Sequence, residues 1–596
     1  MQDFPRLCAY STRMNARCIP LFAALCFLLT GCHDNTTLTA PNTPSPHDEA
    51  AAANQLFLNQ KSFDPWVLTN TDATSSIPFY NSNGYIGQTI SPNGKVISSF
   101  EAGRYKDGQL QDNYPYVDAP PFTEPSAKTF HQVLDFRTGT LSVDTVAKDK
   151  PQGGGYNLSL SKHGELIAGG PLINWPKVWQ TSDIVVSGDP EAQQVTHANL
   201  FYLLSSAYPG NNNGGHSIPP MGLSSNIYGG HIFWDAEVWM MPALIVQHPD
   251  YAKSIIDYRF KTLSQAKKNA KAHGFVGAEY AWESADTGAE MAPAEFSQER
   301  HITADVGWAA WQYYLWTGDN AYLQKQGWPV LQATAAYWVS RVTHGADGKY
   351  HIEKVISPDE TAGVVSDDAY TNAVVQANLR AATAAAQTVG QGADPRWSLI
   401  ADALFFPQDK ARGIPAENAA PMTDRFSAKQ ADTLLLIHPL NKAIDPVTAG
   451  KMLDFYSAHT IKNGPAMTAS IQAVVAAKLG RGPESLDQFH DSYRPFMRGP
   501  WDAFAEKRTS NRVYFCTGMG GCLQSVLYGF AGLQVAEPGQ KAAGTKIASD
   551  SVASLYANPH LPPGWGGLTV KGVRFHGKAY DVSIAAGNKV GVTVAK

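Results

Sequence analysis

At 596 residues the chain is too long for one ordinary hydrophobic core, so two to four domains are expected. Its 44% hydrophobic and 17% charged residues describe a folded globular protein and exclude a disordered one. A net charge of −5 over this length supplies no basic field, which argues against nucleic acid as a partner.

In chain order, residues 1–32 read as an export signal. Arg13 and Arg17 precede the apolar run "CIPLFAALCFLLTGC", which is too short for a stable membrane span. "LTGC", Leu29 to Cys32, resembles the lipobox of bacterial lipoproteins. That resemblance implies cleavage before Cys32, acylation of its thiol, and a membrane reached through an N-terminal lipid anchor. His33 in place of Asp implies outer-membrane sorting within a periplasmic or cell-surface location. An ordinary secretory signal is the alternative, and Met14 is a second candidate start. Residues 33–55, rich in Thr, Pro and Ala, read as a flexible tether.

Between 56 and 190 the pattern changes to short β-like runs such as "GYIGQTI" and "QVLDFRTGTLSV", broken by Asn-Gly and other turn residues. This predicts an N-terminal antiparallel β-sandwich, followed by a linker over 191–225. From there to 540 the period is helical. In "WPVLQATAAYWVSRV", Leu331, Ala335, Trp338 and Val342 fall on one face. Similar faces recur in "DVGWAAWQYYLW", "NAVVQANLRAATAAAQ", "RWSLIADALFF", "TAGKMLDFYSA" and "MTASIQAVVAAKLG". Helical segments in pairs predict a toroid over 226–540, and the alternating stretch within 541–596 predicts a small C-terminal β-sheet domain. The fold class is therefore mainly α with β domains.

Eight of the fourteen Trp lie between Trp234 and Trp338. Core packing accounts for most of such a set, but clustered indoles also suit the faces of sugar rings. Once the signal is set aside, only Cys516 and Cys522 remain in the body, as a small-loop disulfide or as two buried thiols. No metal-ligand spacing or phosphate-binding fingerprint is present, so no metal or cofactor is expected.

Three segments place acids beside aromatics or a proline: "FWDAE" with Trp234, Asp235 and Glu237, "WES" with Trp282 and Glu283, and "SPDE" with Asp359 and Glu360. A carboxylate accepts hydrogen bonds from sugar hydroxyls while an indole covers the apolar ring face. Cleaving a glycosidic bond needs one protonated carboxyl as donor and a second, ionised one. Composition does not choose between Asp359 and Glu360.

Taken together, "NGYIG" (83–87), "GHIFWDAEVWMMP" (230–242), "AWES" (281–284), "ERHITADVGWAAWQYYLWTGD" (299–319), "SPDE" (357–360), "DDAYTN" (367–372) and "KQAD" (429–432) are collinear. In that order they resemble glycoside hydrolase family 65, whose members act on α-glucosides such as trehalose, maltose, kojibiose and glucosylgalactosyl-hydroxylysine. The resemblance implies an N-terminal β-sandwich, a helical linker, an (α/α)6 barrel and a C-terminal β-sheet. It makes Glu360 the general acid and gives Trp234, Asp235, Trp282, Glu283, Lys429 and Gln430 to substrate binding. "DDAYTN" more simply opens a helix.

The family holds both hydrolases and phosphorylases. Cys516 to Leu533, "CTGMGGCLQSVLYGFAGL", resembles the hydrolases' "TGxGGxLQ" stretch and lacks the phosphorylases' Glu and His. Those hydrolases carry a second glutamate just upstream, which lands on Glu506 as general base, with Asp502 as competitor. The resulting expectation is an inverting exo-α-glucosidase that releases β-glucose from an α-linked disaccharide or glycan. A disaccharide phosphorylase and a non-catalytic glycan-binding lipoprotein are the alternatives. Linkage, aglycone and oligomeric state are not readable.

Overall fold

The computed structural model describes residues 45–595, apart from 61, 113–129, 146–158, 161–165, 168–172, 210–215 and 424. The signal segment and Cys32 therefore lie outside the described residues. The first element departs from the sequence expectation. Pro46–Leu58 is a helix where a tether was expected over 33–55. Ser45 caps it in a reciprocal capping box with Asp48, and Pro46 occupies the first turn. Ala50, Ala53 and Phe57 form its buried stripe, and Asn54 Nδ2 donates to the Met497 carbonyl at 3.1 Å. A composition rich in Ala and Pro, read as loose, is here a capped amphipathic helix.

Two antiparallel sheets follow. One runs in chain order through Phe79–Ser82, Ile86–Ile90, Val96–Lys106 and Gln109–Asp112, and the other joins Val67–Asn70, Phe130–Asp135 and Thr140–Thr145. The Asn83-Gly84 turn is fixed by the Asn83 side chain, which accepts from the Tyr85 and Ile86 amides. Gly84 sits at φ +76°, and a Cβ there would meet the Ala207 carbonyl oxygen at 1.9 Å, so the turn presses against the end of helix Pro190–Ser206.

The helical segments form where the apolar periodicity places them: His301–Thr317, Trp328–Arg341, Ala369–Thr388, Pro395–Ala403, Pro446–His459 and Ala469–Lys478. His301–Thr317 and Trp328–Arg341 both pack on Ala369–Thr388. Asp368 caps that last helix, so "DDAYTN" opens a helix as its Asp-rich start suggests. Seven of the eight clustered Trp are buried, so the cluster is core first and not a row of exposed platforms.

At the C-terminus Gly567–Phe575, Lys578–Ala585 and Lys589–Val594 form a meander. Its open edge is taken by Ile184–Ser187, with Ile184 opposite Val570, so a strand that precedes the helical region pairs with one that follows it. The whole is a mixed α and β architecture.

Candidate active site

The segment Phe233–Ile245 starts the site. It is helical, not a loop: a wide turn over Ala236–Met240 runs into Met241–Ile245. A wide turn displaces backbone carbonyls from their usual partners, and Gln524 Nε2 donates to those of Val238 and Trp239 at 3.0 and 2.8 Å. Gln524 closes helix Cys516–Gln524, and the glycines of "TGMGG" let that helix come close. A Cβ on Gly520 would lie 2.5 Å from the Trp239 carbonyl oxygen. This docking brings the Thr517 hydroxyl to Asp235 Oδ1, to which it donates at 2.6 Å. Burial pushes the Asp235 carboxyl up to about 7 against the opposing Thr517 hydrogen bond. Cys516 and Cys522 on the same helix are free buried thiols, both pushed up to about 12 by burial, which decides against the disulfide.

Ile232 pairs with Ser284, which sets "FWD" beside "WES". The Trp234 and Trp282 rings lie 6.3 Å apart between centroids, and both are buried. Glu283 Oε2 pairs with His231 Nδ1 at 2.9 Å, while the Trp282 and Glu283 amides donate to Glu290. Glu237 is a structural acid: Arg259 holds it through two hydrogen bonds of 2.7 and 2.9 Å.

Glu360 follows Pro358 and Asp359 in a short turn and is about one-quarter exposed, with Lys429 Nζ donating to its Oε2 at 2.5 Å. Asp359 is the buried neighbour, and its Oδ1 accepts the Lys429 amide at 2.7 Å. Gln430 faces the backbone, donating to the Pro358 carbonyl at 2.8 Å. One side of the candidate site is thus Glu360 and Lys429, with Gln430 bracing the turn beneath.

Glu506 is buried, and its Oε1 accepts the Tyr228 hydroxyl at 2.7 Å while Oε2 has no partner among the described residues. Its charge reaches Asp235, raising that carboxyl further. Asp502 lies elsewhere: it meets the Gln60 side chain and the charge of Glu191, and burial pushes it up to about 7. The two acids of the site share one support. A Cβ on Gly464 would lie 2.3 Å from the Lys429 carbonyl oxygen, and the Ala466 amide donates to the Glu506 carbonyl at 2.9 Å. Residues 464–466 therefore touch both the Glu360–Lys429 side and the Glu506 side.

Several further residues around the site were not singled out from the sequence. Tyr228 lies in a turn at φ +57°. Glu299, His301 and Asp305 form a buried chain behind the indoles, with His301 Nδ1 2.8 Å from Asp305 and its ring 4.7 Å from Trp234 between centroids. Burial lowers His301, but Asp305 and Glu299 outweigh it and lift the ring to about 9; burial lifts Glu299 to about 8. The "ERHITAD" motif held these three residues, without a spacing that distinguishes a buried chain from a helix start.

Residues 197–425 match the glycosyl hydrolase family 65 central catalytic domain. A kojibiose hydrolase of Mucilaginibacter mallensis is 41% identical over 415 residues, covering 68% of this chain and 58% of that protein. A protein-glucosylgalactosylhydroxylysine glucosidase of Mus musculus is 37% identical over 383 residues, covering 61% and 54%. The chain thus spans little more than half the length of these curated relatives. A solved structure assigned provisionally as a kojibiose phosphorylase from human microbiome shares the fold, with a TM-score of 0.67 over 90% of this chain and 94% of that one, at 16% identity.

Proposed function

We propose that the protein is an inverting, exo-acting α-glucoside hydrolase that releases β-glucose from the non-reducing end of an α-linked disaccharide or glucosylated glycan. In this reading Glu360 is the general acid and Glu506 the general base that activates water. The helices of 226–540 close as an (α/α)6 barrel around them, and Cys32 carries the lipid that holds an exported enzyme to the membrane.

One observation carries the reading: Glu506 is buried, oriented by Tyr228 through one oxygen, and has its other oxygen without a partner. An orphaned carboxylate oxygen is costly unless water or substrate occupies it. A base that orients a water needs such an oxygen. Across residues 464–466 stands Glu360, the more exposed acid, as a proton donor to a leaving oxygen has to be. Lys429 occupies Glu360 in the free enzyme. On binding, its donors pass to sugar hydroxyls, which frees the carboxyl to hold its proton. Trp234, Asp235, Trp282 and Glu283 bind the glucosyl unit, and the curated relatives of 41% and 37% identity, named for hydrolysing glucosides, support the substrate class.

Incubation with kojibiose, trehalose and nigerose, with and without phosphate, tests the proposal by product anomer. β-Glucose formed independently of phosphate is the expected product. Phosphate-dependent glucose 1-phosphate would make the enzyme a phosphorylase instead, and α-configuration at the newly cleaved anomeric carbon, read after subtracting the anomers of the leaving sugar, would overturn inversion.

A further inference from the structure

Behind the donor turn, four carboxyl groups from four separate segments are buried together. Asp359, Asp368, Glu417 and Asp432 are each at most 3% exposed. Asp432 Oδ2 accepts the Asp359 amide at 3.2 Å, and Asp359 Oδ1 in turn accepts the Lys429 amide at 2.7 Å. With the Gln430 bond to the Pro358 carbonyl at 2.8 Å, three cross-links stitch Pro358 and Asp359, the two residues just before Glu360, to segment 428–432. The Glu417 carbonyl accepts the Ala369 amide at 2.7 Å, tying the third and fourth segments in.

We propose that Asp432 is a positioning residue for Glu360, the proton-holding member of a buried carboxyl lock that fixes the donor turn to the Lys429 segment. The inference rests on the reading of Glu360 as donor.

The allocation of protons follows from the partners. Asp368 caps helix Ala369–Thr388, accepting both the amide and the hydroxyl of Thr371 at 2.6 Å, which favours its charged form. Asp359 accepts three donors, the Lys429 amide and the amide and hydroxyl of Thr361. Among the described residues Asp432, Glu417 and Asp368 each leave one oxygen without a partner, but Asp368 holds two donors on its other oxygen, whereas Asp432 accepts one amide and Glu417 meets the adjacent Asn418 side chain alone at 3.3 Å. Four ionised carboxyls packed at this depth repel one another and have lost their water, so the two least supported keep protons. Burial, then the neighbouring carboxylates, hold both Asp432 and Glu417 above the usual range. The phenols of Tyr370 and Tyr456 face Asp432, His301 faces Asp368, and Lys429 flanks the seam; among these His301 and Lys429 are the positive groups.

When pH rises and Asp432 loses its proton, like charges meet across the seam and the donor turn is released. Asn at 432 keeps an acceptor for the Asp359 amide and adds amide donors toward Glu417 and Asp368, with no proton to lose. The test compares wild type, Asp432→Asn, Asp432→Ala and Glu360→Gln by kcat and KM on kojibiose across pH, and by Tm across pH. Asp432→Ala should lose about 10²-fold in kcat with a smaller change in KM, since it misplaces a catalytic group. Asp432→Asn should recover much of that loss, move the alkaline limb of kcat upward, and lessen the fall of Tm at high pH. Superimposable pH profiles and Tm curves for wild type and Asp432→Asn would overturn the lock, as would equal losses in the Asn and Ala variants. If Asp432→Ala does not fold, the Asn comparison decides. Failure of wild type to cleave any α-glucoside would instead strike the proposed function, while the Tm curves still report on the lock.

Discussion

Glu360 and Glu506 differ in how the fold holds them, and their substitution should separate the two roles. Gln at either position keeps the shape and removes the proton chemistry, so kcat is expected to fall about 10²–10⁴-fold with KM less affected. Azide or formate should restore turnover in a small Glu506 variant, where a missing base leaves room for an external nucleophile, and activated glucosides with good leaving groups should restore it in Glu360→Gln. Exchanged rescue patterns would reverse the assignment. Tyr228 enters through its 2.7 Å bond to Glu506 Oε1. Tyr228→Phe removes a hydrogen bond to a charged group, worth about 1.5–3 kcal/mol, and a kcat reduced by tenfold or more is the expected reading. Full activity in that variant would show that Glu506 is oriented by something else. Glu360, Asp235 and the indole pair could be singled out in the sequence because each stands in a short motif with its chemistry on view. Tyr228 and Asp432 could not. Tyr228 depends on a left-handed turn with no local pattern, and Asp432, although it closes "KQAD", depends on three acids that reach it from other segments.

At the scale of elements, the docking of Cys516–Gln524 on Ala236–Met240 decides the placement of Asp235. Gly520→Val puts side-chain atoms where the Trp239 carbonyl lies 2.5 Å from an ideal Cβ. Overpacking of this kind costs about 1–3 kcal/mol; here it should also raise KM, because Thr517 withdraws from Asp235. A lowered Tm with an unchanged KM would mean that the two helices matter for stability alone. The helix Pro46–Leu58 offers a contrast. Phe57→Ala empties a fully buried site and should destabilise by about 3–5 kcal/mol, with kinetic constants kept below the new Tm. A Tm equal to that of wild type would show the helix to be dispensable. Most long helices were readable from their 3.6-residue period. This one was not, because the Ala- and Pro-rich composition suggested a linker, although Ser45, Pro46 and Asp48 form a capping pattern that marks its start.

For the molecule as a whole, buried acids set the response to pH. Burial holds Asp235 and Asp502 near 7 and Glu299 near 8, above their unfolded values, and His301 stands near 9 as the cation between Asp305 and Glu299. All four are raised by folding. Each contributes stability that is complete below the unfolded pKa and lost as pH rises through the folded one. Tm should therefore fall as pH climbs from about 4, where the unfolded acids begin to ionise, to about 9, where His301 loses its proton. Asp502→Asn removes one such proton from a carboxyl whose partners, Gln60 and Glu191, differ from those of Glu506, and should lessen that fall while leaving kcat intact; a large loss of kcat would return Asp502 to candidacy as base. The pairing of Ile184–Ser187 with Gly567–Phe575 was beyond sequence reading, since the pattern of either strand is satisfied by any apolar edge and their separation hides the partner.

The Ser45 cap also sets a length. On the proposed acylation of Cys32, twelve residues, 33–44, separate the lipid from the first cap of the fold. Fully extended, the thirteen steps from Cys32 to Ser45 would span at most about 45 Å. On that proposal the first cap of the fold would stay within about 45 Å of the bilayer, and the enzyme would meet what diffuses through that layer of solvent. Small glucosides reach it freely; a glycan on a bulky carrier does so only if the carrier lies down beside the membrane.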